Sequence, residues 1–247
     1  ALASDSLAAE LKRFRELAVL TADRPEVTAA LQDADMVAAL RPVLQEIADK
    51  TGALDIRLVG LDGAQLAGVQ AGTANSHAGE PYFERAMDGA LGAAHLMPSQ
   101  AGPRRFVFAA PVFSAAGPVM GALLVSAGVE AVEGAWRGAR PALFFTDTDG
   151  MIFVSNRSEL VMRSRKAGDF IQYTARERSG YDLWTVDAGR YLPRRALHLT
   201  KELPAIDMRG EILVDLAPAR QLAALQATVA AALCLAFGAW LFFATQR

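Results

Sequence analysis

The chain has little cysteine, little histidine and no surplus of charge, and each shortage excludes something. Cys234 is the only cysteine, so no intramolecular disulfide framework can form. Three histidines (His77, His95, His198) beside one cysteine cannot build the usual His/Cys metal sites. Lysine plus arginine number 25 against 27 aspartate plus glutamate, a net charge of −2, whereas nucleic-acid binders carry a strongly basic face. The charged fraction is 21% against 52% hydrophobic, which is the reverse of what intrinsic disorder needs. G-x-S-x-G, H-E-x-x-H, G-x-x-x-x-G-K-[ST] and G-x-G-x-x-G are all absent. No Ser–His–acid spacing presents itself, so the residues read as non-catalytic, without cofactor or metal.

What is present is apolarity, with a mean hydropathy of +0.19 over 247 residues. Much of it sits at the end. No charged residue occurs from Gln221 to Gln246, and Ala227–Ala244 is apolar apart from Thr228. Eighteen helical residues span roughly 27 Å, near the ~30 Å hydrocarbon core of a bilayer. Trp240, Phe242 and Phe243 fall where an aromatic belt would lie, so 218–247 reads as a transmembrane helix. Residues 1–20 carry Asp5, Glu10, Lys12, Arg13, Arg15 and Glu16 and do not read as a signal peptide. Starting at Ala1, the chain reads as a segment of a longer receptor.

The body divides by pattern. Leu7, Leu11, Phe14, Leu17 and Leu20 recur at helical spacing, and helix is expected to continue past a break at Arg24-Pro25 to Thr51-Gly52. Residues 1–51 thus read as a helical spine and dimerisation region. LDIRLVGL (54–61), Asp62-Gly63 and AQLAGV predict a hairpin, and Pro81 opens a short helix. RRFVFAAPVF and VMGALLVSAG predict strands, and VEAVEGAWR a connecting helix. Strand, Asp-Gly turn and strand then recur at 142–155, followed by strands in YDLWTV, RRALHLTKEL and EILVDL. The expected fold class is α+β: a spine carrying two PAS-like antiparallel-sheet modules, 52–136 and 137–217, before the membrane helix.

Candidate chemistry is sparse. Asp147–Gly150 reads as a hairpin turn, since the twelfth position of a calcium loop starting there is Ser158. Asn156-Arg157-Ser158 matches a glycosylation triplet, a pattern common by chance. The basic stretch Arg157, Arg163, Arg165, Lys166, Arg176, Arg178 reads as a solvated loop, or as a surface near anionic lipid headgroups. His77 reads as a ligand contact or a solvated loop residue, and His95 and His198 as structural. The informative cluster is Tyr82, Phe83, Arg104, Arg105, Phe106 and Phe108, since a small-anion site wants cationic donors beside an aromatic wall. Period two puts Arg104, Phe106 and Phe108 on one strand face and Arg105 on the other. Either Arg104 and Phe106 line a pocket, or this is ordinary strand packing.

RFRELAVLTADRPEVTAAL (13–31), KTGALDIRLVGLDG (50–63), EPYFERAMDG (80–89), PRRFVFAAPV (103–112), VMGALLVSAGVEAVEGAW (119–136), FFTDTDGMIFVSNRSEL (144–160) and ILVDLAPAR (212–220) follow in order before the apolar span. In this order and spacing the chain resembles the extracytoplasmic double-Cache (tandem PAS-like) sensor region of C4-dicarboxylate sensor histidine kinases of the DctB/DctS type. The resemblance implies a body in the periplasm anchored in a bacterial inner membrane, and a homodimer through the N-terminal helix. It also implies a small organic acid, first of all a C4-dicarboxylate, in the distal module. A cytoplasmic kinase domain beyond residue 247 would act on a response regulator. The expected ligand-binding set is Tyr82, Arg104, Phe106, Phe108, Asn75, His77, Glu80, Ser99 and Ser126. Glu80 and Ser126 stand where relatives carry cations, which leaves an altered organic acid, an uncharged ligand or an amine-bearing ligand open. A chemoreceptor or cyclic-dinucleotide enzyme is the alternative output, and a membrane-anchored hydrolase has no supporting residues.

Overall fold

The computed structural model describes residues 2–70, 76–98, 103–166, 170–178, 180–187 and 191–246. Three helices come first: α1 (Leu2–Ala22), α2 (Pro25–Gln32) and α3 (Ala34–Thr51). The chain breaks at Pro25, as expected, and again at Asp33, whose side chain caps α3 by accepting from the Asp35 amide at 2.9 Å. Gly52, with φ of 73°, then ends α3 in the left-handed conformation. The 2–51 region is thus three helices, of which α1 is the longest. α2 packs on α3, and α3 lies back against the first sheet.

The apolar stripe of α1 also differs from its sequence reading. Leu7, Leu11, Phe14, Ala18 and Ala22 are buried, whereas Leu20 is 69% exposed. Steps of four, three, four and four hold one helical face, and the run 14-17-20 drifts off it. Each fully buried Leu or Phe on that stripe contributes about 1.5–3 kcal/mol of transfer free energy.

The first sheet contains β1 (Asp55–Gly60), β2 (Gln65–Gly68), β3 (Gly92–Leu96), β4 (Arg105–Phe113) and β5 (Val119–Gly128), in the order β2-β1-β5-β4-β3. Helix α4 (Pro81–Met87) covers one face and α1 the other. Helix α5 (Val129–Trp136) leads to the second sheet. That sheet contains β6 (Ala142–Asp147), β7 (Ile152–Ser155), β8 (Gln172–Arg178), β9 (Tyr181–Asp187), β10 (Arg195–Leu203) and β11 (Met208–Asp215). Its order is β7-β6-β11-β10-β9-β8, the pattern of the first sheet with one further strand. Every pairing in both sheets is antiparallel.

Two strands went unread in the sequence. β3 is GAAHL, too alanine-rich to show alternation. β8 is exposed along its whole length and carries Arg176 and Arg178, so these belong to an edge strand and not to a loop.

One apolar core spans both sheets. It joins the α1 stripe to Phe106, Phe108, Leu123 and Val125 of the first sheet and to Leu143, Phe145 and Phe153 of the second. Trp136 of α5 enters it and stacks on Phe145 with ring centroids 5.5 Å apart. The opposite face of each sheet carries a separate cluster. Val59, Tyr82, Phe83, Val107 and Leu124 gather under α4, and Phe144, Ile152, Trp184, Val186 and Leu213 gather on the second sheet. Helix α6 (Ala217–Thr245) follows β11 after one residue. Ala217–Phe242 is long and apolar enough to cross a membrane, and no part of its most apolar window is buried among the described residues.

Candidate functional site

The α4 face of the first sheet gathers a cluster of polar side chains. Antiparallel register stacks side chains there in rows: Arg105 opposite Gly128, then Val107–Ser126–Asp55, then Ala109–Leu124–Arg57. Opposed residues point to the same side. Asp55, Arg57, Arg105 and Ser126 therefore share the face on which Val59, Val107 and Leu124 pack against α4.

Tyr82 reaches this face from the first turn of α4, with Pro81 at the start. Gly92 of β3 allows the approach, because a Cβ there would lie 1.8 Å from the Tyr82 carbonyl oxygen. His77 arrives on the segment before α4. Its amide donates to the Gly63 carbonyl at 2.8 Å. Gly63 has φ of 78°, and a Cβ on it would fall 2.4 Å from the Ala78 nitrogen. The Asp62-Gly63 turn thus sets the hairpin and also docks the His77 segment.

The polar groups interlock. His77 Nδ1 lies 2.9 Å from the Tyr82 hydroxyl. His77 is 8% exposed, and its Nε2 has no hydrogen-bond partner among the described residues. Burial, then the charges of Arg57 and Arg105, hold the imidazole below the usual histidine range, so it is neutral near pH 7. Burial and then the charge of Glu80 push the Tyr82 hydroxyl up to about 12, so it keeps its proton. Asp55 accepts from Arg57 Nε and from the Gln70 amide at 3.2 Å. Burial and the neighbouring Arg57 charge push Arg105 down from the ordinary guanidinium range. A bound anion would offset both effects.

The predicted site residues fall into three groups. Tyr82, His77 and Ser126 lie together on the α4 face, and Glu80 stands exposed just before α4. Arg104, Phe106 and Phe108 lie together on the other side of the sheet, away from Tyr82. Arg104 donates to both carboxylate oxygens of Glu133 at 2.9 Å and to the Phe153 carbonyl. Glu133 also accepts from the Ser155 amide at 2.9 Å, so Arg104 ties the first sheet to α5 and the second sheet. Phe106 packs edge-on against Phe153, 5.2 Å between centroids. Phe106 and Phe108 line a cavity of about 260 Å³ between the two sheets, with His95, Thr148, Ile206 and Asp207. Asn75 and Ser99 lie outside the described residues.

Period two was therefore correct, but Arg105 and not Arg104 is on the face of Tyr82. Sequence reading missed Asp55 and Arg57, although two charged residues alternating inside the apolar strand DIRLVG were a usable signal. The Asn156 amide accepts from the Leu143 amide at 2.8 Å and donates to the Pro141 carbonyl at 3.0 Å, which accounts for Asn156 structurally.

The sequence matches no known family profile and no curated protein sequence. Solved structures do resemble the fold. The sensor domain of the Vibrio cholerae histidine kinase DctB superposes with a TM-score of 0.72 at 18% identity, covering 86% of this chain and 93% of that one. The ligand-binding domain of the Campylobacter jejuni chemoreceptor Tlp3, in complex with L-valine, gives 0.61 at 14% identity, covering 85% and 86%. That of the Pseudomonas fluorescens chemoreceptor CtaA, in complex with L-alanine, gives 0.55 at 16% identity, covering 87% and 92%. The body of this chain shares its fold with that histidine-kinase sensor domain and those chemoreceptor ligand-binding domains.

Proposed function

We propose that this chain is the periplasmic sensing region of a two-component sensor histidine kinase, anchored in the bacterial inner membrane by α6. Its ligand is a small organic acid, first of all a C4-dicarboxylate, held on the α4 face of the distal sheet. The observation that carries this reading is the cluster of Arg57, Arg105, His77, Tyr82 and Ser126 under α4. Two guanidiniums supply charge for carboxylates, and a neutral imidazole, whose buried Nε2 has no partner among the described residues, supplies a further hydrogen bond. The domain division 52–136 and 137–217 belongs to the same reading and is supported by the two sheets. Binding would shift the equilibrium between dimer arrangements, through β11 and α6, to a kinase acting on a response regulator. The apolar Val19 and Leu20, both exposed on α1, support a homodimer through that helix.

A second reading has one observation in its favour. Asp55, its side chain 4% exposed, puts a carboxylate on the same face, as a ligand carrying an ammonium group would require. Under that reading the receptor is of the chemoreceptor kind.

Calorimetry on the chain in detergent with succinate, malate and fumarate, and separately with L-alanine, L-valine and γ-aminobutyrate, tests both. Binding of an acid that is lost in Arg105→Ala supports the first. Binding of amino acids alone selects the second. Binding of neither, with cooperative melting intact, sinks both.

A further inference from the structure

The second sheet carries a buried ionic cluster that the ligand site does not use. His198 of β10 sits between two carboxylates. Its Nε2 is 2.7 Å from Glu211 Oε2 on β11, and its Nδ1 is 3.2 Å from Asp182 Oδ2 on β9. The Glu211 side chain is wholly buried and that of His198 is 8% exposed, while that of Asp182 is 45% exposed. Arg165 pairs with Glu211, and Thr146 of β6 donates to it at 3.4 Å. The indole of Trp184 donates to Asp182 at 2.9 Å and stacks on the His198 ring, centroids 3.9 Å apart. Tyr173 of β8 stacks on the far side of Trp184, and Arg165 lies over Phe170 and Trp184 at 4.9 and 5.4 Å. On the same face Glu177 of β8 stands opposite Asp182, and the exposed Arg209–Glu202 pair follows beyond Glu211.

The hydrogen count of this cluster is decisive. A neutral imidazole has one N–H and can donate to one carboxylate only. Donation at the shorter, buried contact with Glu211 leaves the Nδ1 lone pair facing the lone pairs of an Asp182 carboxyl oxygen. A proton at Nδ1 turns that repulsion into a charge-assisted hydrogen bond. It also balances the four groups, with Glu211 and Asp182 negative and Arg165 and His198 positive. Histidine is the side chain whose charge ordinarily changes between pH 5 and 8. Asp182 gives the proton a route from solvent.

We propose that the second module binds a proton at His198, and that the imidazolium then clamps β9 to β11 across β10. β11 runs into α6 through Leu216, and Asp215 caps the junction by accepting from the Ala217 amide at 2.9 Å. An acidic exterior would stiffen the sheet at the point where the membrane helix begins. The receptor so acquires an input separate from the distal ligand face.

The test uses the whole chain in detergent, its ring nitrogens labelled with ¹⁵N, between pH 5.5 and 8. The gap in Tm between wild type and His198→Gln should be wider at pH 5.5 than at pH 8. Both nitrogens of His198 should show imidazolium shifts at pH 5.5. Asp182→Asn keeps the shape and removes the charge facing Nδ1, so the protonated fraction of the ring at pH 6.5 should fall. A ring that stays neutral at pH 5.5, or a protonated fraction unchanged in Asp182→Asn, overturns the proposal. Asp182 is half exposed, so this variant reads out even where His198→Gln does not fold.

Discussion

The two sheets share an order of strands and differ in what they do with polar groups on the face away from α1. On the distal sheet the groups come from separate elements, a loop, a helix start and three strands, and one buried imidazole nitrogen lacks a partner among the described residues. On the second sheet they close on one another. Glu211 meets His198, Arg165 and Thr146, and three aromatic rings fill the rest of the face. Arg165 Nε is the polar atom there that stays unpartnered among the described residues. The same architecture thus carries one face whose polar groups come from a loop, a helix and three strands, and another whose polar groups close on one another.

The largest test of that contrast is Glu211→Ala. Removing one member of a buried ionic network leaves charges uncompensated, at a cost of about 3–5 kcal/mol. At ~2–4 °C per kcal/mol this lowers Tm by about 10 °C, measurable by circular dichroism. If the closed ionic network is what distinguishes the second sheet, Arg105→Ala, at a half-buried side chain of the distal sheet, should lower Tm by less than Glu211→Ala does. It should weaken organic-acid binding by at least about tenfold in calorimetry, in line with the loss of a charged hydrogen bond.

Arg104→Ala separates the two sides of β4. It leaves Glu133 without its bidentate partner between the sheets and should lower stability by about 1–3 kcal/mol while sparing ligand affinity. Loss of binding with no loss of Tm would return Arg104 to the ligand site. The smallest effect concerns pH. His77 resists protonation in the folded chain and takes a proton near pH 6.5 when unfolded. Its contribution is complete above that pH and declines as pH falls below it. His77→Gln should therefore flatten the acid loss of stability, opposite in sign to the effect of His198→Gln.

Much of the fold was legible because it rests on short-range signals. Asp62-Gly63 and Asp147–Gly150 mark hairpins through glycines at φ of 78° and 77°. Pro25 and Pro81 mark helix starts, and α6 declares itself by length and lack of charge. The site was legible only in part. Alternation along RRFVFAAPV separates two faces but says nothing of which one meets α4. That choice depends on α1 taking the Phe106–Phe108 side and on α4 docking over Gly92. β8 was hidden because an exposed edge strand needs no apolar alternation.

By itself the sequence determined the α+β class, the repeated hairpins, the membrane-compatible helix and the pool of polar residues, since these follow from local periodicity and composition. Only the tertiary structure decided that Arg105 joins Tyr82 while Arg104 joins Glu133, and that His198 lies between Asp182 and Glu211. Partners 29 and 13 residues apart meet through strand register and sheet packing, which no local pattern encodes.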